Sequence, residues 1–429
     1  MKIDNKTYEL ICDALDVFKN ISENNNYLTS GSWEEAVDFI RGLNSYLLST
    51  KDRELINKLR LFSSVFPGRP LDKSEFSFSK YIKNKDLEDN NQDVKVETIL
   101  NDHRNSDKEF YKVFDVHLRH MLPSFYEFTV PDVLGEKGYQ KDGLIFNWHV
   151  YCGLERMAIL HESGCFNYLL TRQKKRLDGD NINVLEIGAG YGFLAHLLMQ
   201  GLNIRKYLII DIPESLLFSS LYLIAAQRKK KVIVVSEISK HTFDQDGIYV
   251  IPHFFAGKIS EYFPEIDLVL NTLSFHEMGS SDVINYADQL KILFSKQVDP
   301  GIIFEQNFDN STEISGCNAK KILRERFVSD VIKTYTPQTR GYAELHALKI
   351  NTINEIKRCK PQIGIYNKLK WEFFFIKRKI SKLRKIPLGI GEAYPLTHLR
   401  LFLRPQGNAF LIKYFLIFTL ICLFLLYLS

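Results

Sequence analysis

Apolar residues in the first part of the chain recur at helical spacing. Trp33, Val37, Ile40, Leu43 and Leu47 fall three or four positions apart, the pattern of one buried helix face. Ser32 stands ahead of Trp33-Glu34-Glu35 as an N-cap with acids in the first turn. The pattern predicts a helical region to about residue 75, closed by Phe66-Pro67-Gly68-Arg69-Pro70. The stretch from Ser79 to Asp107, rich in Asn, Asp and Lys, reads as an exposed loop. Further helices are expected from Phe110 to Met121 and from Trp148 to His161.

From Asn183 the pattern changes. The short apolar runs NVLEIGAG, KYLIID, KVIVVS, YVIPHF, DLVLNTL and GIIFEQ alternate with helical stretches, notably Phe193 to Gln200, Glu214 to Gln227 and Ser281 to Phe294. Such alternation predicts an α/β fold, a parallel sheet with helices on both faces. Beyond Phe308 a helix from Ala319 to Lys333 and a late strand from Glu344 to Ile350 are expected. A basic stretch follows, in which Lys368, Lys370, Lys377, Arg378, Lys379, Lys382, Arg384 and Lys385 surround Trp371, Phe373, Phe374 and Phe375. Ala409 to Leu428 is then almost wholly apolar, broken by Lys413 and Thr419, and its 20 residues match the length of a membrane-spanning helix. A buried C-terminal helix is the other reading, but no helical phase offers a polar face. With basic residues ahead of it, the run would tail-anchor the chain at the cytoplasmic face of the inner membrane, and the basic-aromatic stretch would lie on anionic lipid or form a solvated helix face. The divisions this implies are 1–147, mainly helical, as a substrate lid or dimerisation region; 148–352, catalytic; 353–408, membrane-proximal; and 409–429, membrane-spanning.

Composition narrows the picture in two respects. The formal charge of +5 is concentrated near the C-terminus instead of spread across 148–352, which argues against a nucleic-acid substrate. The six cysteines contain no C-x-x-C pair, so neither a zinc site nor a disulfide framework follows, and the polar start MKIDNKTYEL is not a signal peptide. A cytoplasmic catalytic part is expected. Oligomeric state is left open, a homo-oligomer included.

The chemistry concentrates at Val184-Leu185-Glu186-Ile187-Gly188-Ala189-Gly190-Tyr191-Gly192, a strand entering a G-x-G-x-G turn. Glycines there let the backbone turn sharply and approach a ligand closely. A dinucleotide fingerprint would need glycine where Phe193 stands, so a nicotinamide or flavin reading fails. Nineteen residues beyond Gly192, KYLIID ends in Asp211, placed to accept bonds from both hydroxyls of a ribose.

This segment resembles motif I of class I S-adenosylmethionine-dependent methyltransferases. The resemblance implies a Rossmann-like sheet that binds S-adenosylmethionine through Glu186, Gly188, Ala189, Gly190, Tyr191, Gly192 and Asp211, with Glu186 anchoring the methionyl amino group. LEIGAGYG, Ile210-Asp211-Ile212-Pro213-Glu214-Ser215-Leu216 and Asn271-Thr272-Leu273-Ser274-Phe275-His276-Glu277-Met278 together resemble the bacterial sugar O-methyltransferases of surface-polysaccharide gene clusters. What that implies is methyl transfer to a sugar hydroxyl of a surface glycan or of its nucleotide- or lipid-linked precursor.

Transfer to an alcohol needs a general base or a metal, and open α/β sheets bind ligands at the carboxyl ends of their strands. His276 is the candidate base by its ordinary pKa. Glu277 could orient a histidine, bind a sugar hydroxyl or support a divalent metal, or simply begin the next helix. Being adjacent, the two cannot share one helix face. Asn271, at the strand end, is expected to contact cofactor or shape the pocket. His253 is a second candidate base, and His149 and Arg156 could touch the cofactor carboxylate or substrate. Asp267 lies at the wrong end of its strand, and no carboxylate triad for a metal is visible. The alternatives are a lipid or small-molecule amine as methyl acceptor, and a non-catalytic, membrane-tethered cofactor-binding or scaffold protein.

Overall fold

The structure, a computed structural model, describes residues 2–24, 33–62, 107–175, 181–309, 317–336, 338 and 342–362. All belong to one compact unit, Met1–Ile380. The basic-aromatic stretch from Lys368 and the apolar run of 409–429 lie outside the described residues. Among the described residues no helix is long and apolar enough to cross a membrane.

The short apolar runs become the strands of one sheet. They are β3 (Ile182–Ile187), β4 (Ile204–Asp211), β5 (Val232–Val234), β6 (Gly247–Pro252), β7 (Leu268–Thr272), β8 (Ile302–Gln306), β9 (Val328–Val331) and β10 (Ala343–Ala347). A separate hairpin precedes them, β1 (Tyr139–Lys141) with β2 (Leu144–Phe146). It turns on Asp142-Gly143, both with positive φ, the Asp-Gly pair that such tight turns favour. The main sheet has the order β5-β6-β4-β3-β7-β8-β10-β9. Every residue of β3, β6, β7 and β8 is buried, as expected of parallel strands covered on both faces. On β3, Val184 belongs to one apolar cluster and Leu185 and Ile187 to the other. The side chains therefore alternate between two cores, one on each face.

The expectation of a parallel sheet needs one correction, because β10 runs antiparallel to both β8 and β9. The expected helix from Ala319 to Lys333 is cut to Ala319–Arg324, and its second half is β9. β9 then returns to β10 without a crossover helix, a connection open only to antiparallel neighbours. The late strand stops at Ala347, and Ile350–Arg358 is a helix across the expected boundary at 352/353. The helix expected from Phe110 to Met121 divides into a helix over 107–116 and a 3-10 turn, Leu118–Met121.

The helical N-terminal region packs into the core of one sheet face. Ile11, Leu15, Phe18, Leu43 and Leu47 share an apolar cluster with Val184, Tyr207 and Leu221. Polar bonds fix the docking. Arg41 pairs with Glu214 at 3.0 Å, and the Asn44 amide donates to the Glu214 carbonyl at 3.1 Å. Glu214 of the D-I-P-E phrase thus holds the N-terminal helix Trp33–Thr50, while Pro213 opens its own helix, Pro213–Ala226.

A second tie lies deeper. Arg60 and Glu136, both fully buried, form a two-bond ion pair at 2.7 and 3.2 Å. Glu136 also accepts from the Asn147 amide, whose oxygen caps the helix Trp148–Glu162 through the His149 and Val150 amides. The Arg60 guanidinium lies over the Tyr191 ring, 3.7 Å from its centroid. Arg60→Leu leaves Glu136 buried and short of its partner. Urea unfolding should show a loss of ~3–5 kcal/mol, and a loss of only a few tenths would show that this tie is not holding the two regions together.

Candidate active site

Strand order turns back at β3, whose neighbours are β4 and β7. The carboxyl ends of these strands therefore face the crevice where open α/β sheets take ligands. β3 runs into the glycine turn, and Gly188, Gly190 and Gly192 all have positive φ, at 76°, 58° and 87°. Gly192 is also the N-cap of the helix Phe193–Gly201. A Cβ on Gly188 would lie 2.1 Å from the Ser274 hydroxyl oxygen, so the glycine turn and the turn after β7 touch at this point.

Asp211 ends β4 as expected. Its carboxylate accepts from the Gly190 amide (3.3 Å), the Ile212 amide (2.8 Å) and the Ser215 hydroxyl (3.0 Å). A carboxylate has about four acceptor positions, so one remains for a ribose hydroxyl, and the Ser215 hydroxyl can rotate aside for a second. Burial pushes this carboxyl up to about 6. Glu186 lies one strand away, 1% exposed, and accepts from the Tyr207 hydroxyl at 2.7 Å. Burial pushes it up to about 7, against the hydrogen bond from Tyr207 and the opposing charge of Arg156. Arg156 thus stands electrostatically beside Glu186, on the helix that Asn147 caps. His149, two turns earlier on that helix, meets the Tyr191 ring edge-on at 5.9 Å.

Tyr191 contributes differently from its sequence position. Its side chain is buried among Phe193, Tyr222, His149 and Arg60, so the turn offers a ligand the backbone of this residue and not its ring. Asn271 is absorbed within the fold. Its amide donates to the Ile187 carbonyl at 2.9 Å, and its oxygen accepts from the Phe275 amide and from Asn307. It ties β7 to the end of β3.

The turn after β7 begins with Leu273 at φ 62°, a left-handed conformation that strains a branched residue and is held by its N–H to the Gln306 carbonyl. His276 and Glu277 follow in a 3-10 turn. Although adjacent, they bring His276 Nε2 and Glu277 Oε1 to 3.8 Å. The His276 side chain is 8% exposed and Glu277 30%. His276 Nδ1 lies 3.2 Å from the Asn307 oxygen, and Phe308 packs edge-on against the ring.

His253 follows β6, three strand spacings from β7. At ~4.8 Å per spacing it lies roughly 14 Å from the β7 turn, on the Asp211 side and away from His276. Asp267 pairs with Arg172 at 3.2 Å and accepts from the Asn183 amide, a structural role at the amino end of β7.

Among the described residues, Glu305, Glu344 and His346 are the three grouped closely enough to share a metal ion. They do not fit one. Lys320 meets Glu305 at 3.2 Å and Arg324 binds Glu344 through two nitrogens, so both carboxylates are already balanced and a dication would face two fixed cations.

The residues that sequence reasoning missed are Tyr207, Ser274 and Asn307. Asn307 alone carried a signal, since it stands at the carboxyl end of a strand; the other two depend on register and on a turn.

No protein-family model and no curated protein matches this chain. Solved structures with similar regions include methyltransferases. The bifunctional kinase-methyltransferase WbdD is 14% identical over 44% of this chain and 40% of its own, with a TM-score of 0.27. The mitomycin 7-O-methyltransferase MmcR is 14% identical over 46% and 56%, with a TM-score of 0.26. The N-methyltransferase NodS of Bradyrhizobium japonicum, solved with S-adenosyl-L-homocysteine, is 14% identical over 43% and 83%, with a TM-score of 0.26. The chain thus spans about two fifths of WbdD. Likeness at this level carries no argument about activity, and the fold is read from the strand order itself.

The raised carboxyl of Glu186 has a consequence for stability. It binds its proton more tightly folded (about 7) than at the ordinary value of 4.5. Its contribution is therefore full below pH 4.5 and is lost as pH rises to 7. Glu186→Gln should flatten the fall in stability of the unliganded chain over that window by ~1–3 kcal/mol. Identical pH dependence of parent and variant in urea melts would contradict the assignment.

Proposed function

We propose that the chain is an S-adenosylmethionine-dependent O-methyltransferase acting on a sugar hydroxyl of a surface polysaccharide or its nucleotide- or lipid-linked precursor. The observation that carries the reading is the grouping of Glu186, the three left-handed glycines, Asp211 and the His276–Glu277 turn along the carboxyl ends of three adjacent strands.

The residues fit the ligand by their chemistry. Glu186 is a buried carboxylate suited to an α-amino group, and Arg156 beside it suits an α-carboxylate. Asp211 suits ribose hydroxyls, and the glycine turn supplies main-chain contacts where side chains would intrude. The chemistry that S-adenosylmethionine supplies when bound is a methyl carbon on a sulfonium sulfur, open to in-line displacement by an oxygen nucleophile. Holding the two centres aligned provides much of the acceleration. His276 takes the hydroxyl proton at Nε2, and Glu277, 3.8 Å away, steadies the resulting imidazolium. The choice of a sugar acceptor rests on the D-I-P-E and N-T-L-S-F-H-E-M phrases.

We further propose that residues 409–429 anchor the chain to the inner membrane, with the basic-aromatic stretch against anionic lipid. The support is the 20-residue apolar run and the basic residues ahead of it.

Calorimetric titration of S-adenosylmethionine into the full chain should show binding that Asp211→Ala weakens on the order of 100-fold, the worth of two hydrogen bonds to a charged acceptor. A folded chain that takes up no S-adenosylmethionine would overturn the reading. Deleting 409–429 should move the chain from the membrane to the soluble fraction of a cell lysate; retention in the membrane would assign the attachment to the basic stretch.

A further inference from the structure

A chain of buried amides decides which nitrogen of His276 can act. It starts from a main-chain oxygen. The Ile187 carbonyl can only accept, so the group Asn271 presents to it at 2.9 Å is the NH2. The Asn271 oxygen therefore faces the other way, where the Phe275 amide donates to it at 3.1 Å. Asn307 must in turn meet that oxygen with its own NH2, at 2.8 Å. The same NH2 donates to Glu305 Oε2, also at 2.8 Å, so both of its hydrogens are used. A reversed Asn307 would set its oxygen against Asn271 Oδ1 and Glu305 Oε2.

The Asn307 oxygen is thus turned toward His276. It accepts from the His276 main-chain N–H at 3.4 Å and lies 3.2 Å from ring Nδ1. An amide oxygen cannot donate, so the hydrogen between them belongs to Nδ1. Asn271, Asn307 and Glu305 are each 0–1% exposed, which keeps water from offering other partners. Lys320 holds the far side, donating to the Asn307 carbonyl at 2.5 Å and pairing with Glu305.

We propose that Asn307 is a positioning residue that holds neutral His276 as its Nδ1–H tautomer and so leaves Nε2 as the nitrogen that receives the acceptor's proton. The consequence for catalysis rests on the methyl-transfer reading. On that reading the hydroxyl proton passes to Nε2 while the acceptor oxygen bonds to the methyl carbon and the C–S electron pair remains on sulfur. Nδ1–H stays on Asn307 throughout, and the new Nε2–H faces Glu277. Wrongly protonated, the ring would present a donor to the hydroxyl and no base.

The test needs no acceptor. The full chain is labelled with 15N-histidine, and the ring signals of His276 among the eleven histidines are identified by their loss in His276→Gln. The neutral ring should show a protonated Nδ1 and a bare Nε2. Asn307→Ala should move the tautomer ratio toward Nε2–H on the order of tenfold, the worth of one hydrogen bond. A role confined to stabilising the fold would lower the melting temperature of the variant without moving this ratio. An Nε2–H ring in the parent chain, or an unmoved ratio in folded Asn307→Ala, overturns the proposal. If Asn307→Ala does not fold, the tautomer of the parent chain decides. Calorimetry with S-adenosylmethionine on the same samples separates the two ideas: no binding removes the methyl-transfer reading, and the tautomer still decides the place of Asn307.

Discussion

The glycine turn after β3 and the turn after β7 press against each other where Gly188 meets Ser274, with no room for even one carbon between them. Much of the crevice follows from that approach. A side chain at 188 would have to displace Ser274, and Ser274 begins the turn that carries His276 and Glu277. β3 and β7 are paired neighbours, and the turns that follow them are left-handed at Gly188 and at Leu273. Glycine meets this need without strain, whereas Leu273 must be held by its bond to the Gln306 carbonyl. The cofactor side and the base side of the proposed site are thus two faces of one contact.

Polar groups buried beneath this contact carry a cost that is offset only because each is bonded. Asn271, Asn307, Glu305 and Lys320 form a continuous chain, and Glu344 with Arg324 continues beside it. The charges balance in pairs. An apolar core would stabilise these strand ends at least as well, but it would not fix the orientation of two amides or of an imidazole ring. The arrangement suits a site where the direction of a hydrogen matters.

The N-terminal region is tied to the glycine turn and to the start of the helix after Asp211. Arg60 reaches the ring of Tyr191 inside the glycine turn, and Glu136 links Arg60 to the cap of the helix that carries His149 and Arg156. Tyr191 is turned inward as a result. Its ring serves as a surface on which the N-terminal region rests, and its backbone remains for a ligand. Arg41 and Asn44 bind Glu214 just beyond Asp211 in the same manner. Both candidate cofactor elements are therefore supported from the helical side.

Local patterning determined the β3-to-β8 strands, the helices between them, the glycine turn and Asp211, because period, glycine spacing and strand-end position are properties of contiguous residues. The sense of β10 was not written there: a short apolar run reads alike in either direction, and only its neighbours and the lack of a crossover helix reverse it. Nor was the inward turn of Tyr191, which depends on an arginine brought in by an N-terminal helix, or the approach of the His276 and Glu277 side chains, which their conformations decide and not their spacing in sequence. Asn307 lies 31 positions from His276, and Glu136 lies 76 from Arg60. Hydrogen bonds at such separations depend on strand register and on which amide face each neighbour leaves available. The sequence by itself therefore determined the glycine turn and the strand-end acid, and the packing of the strand ends decided which groups each of them is bonded to.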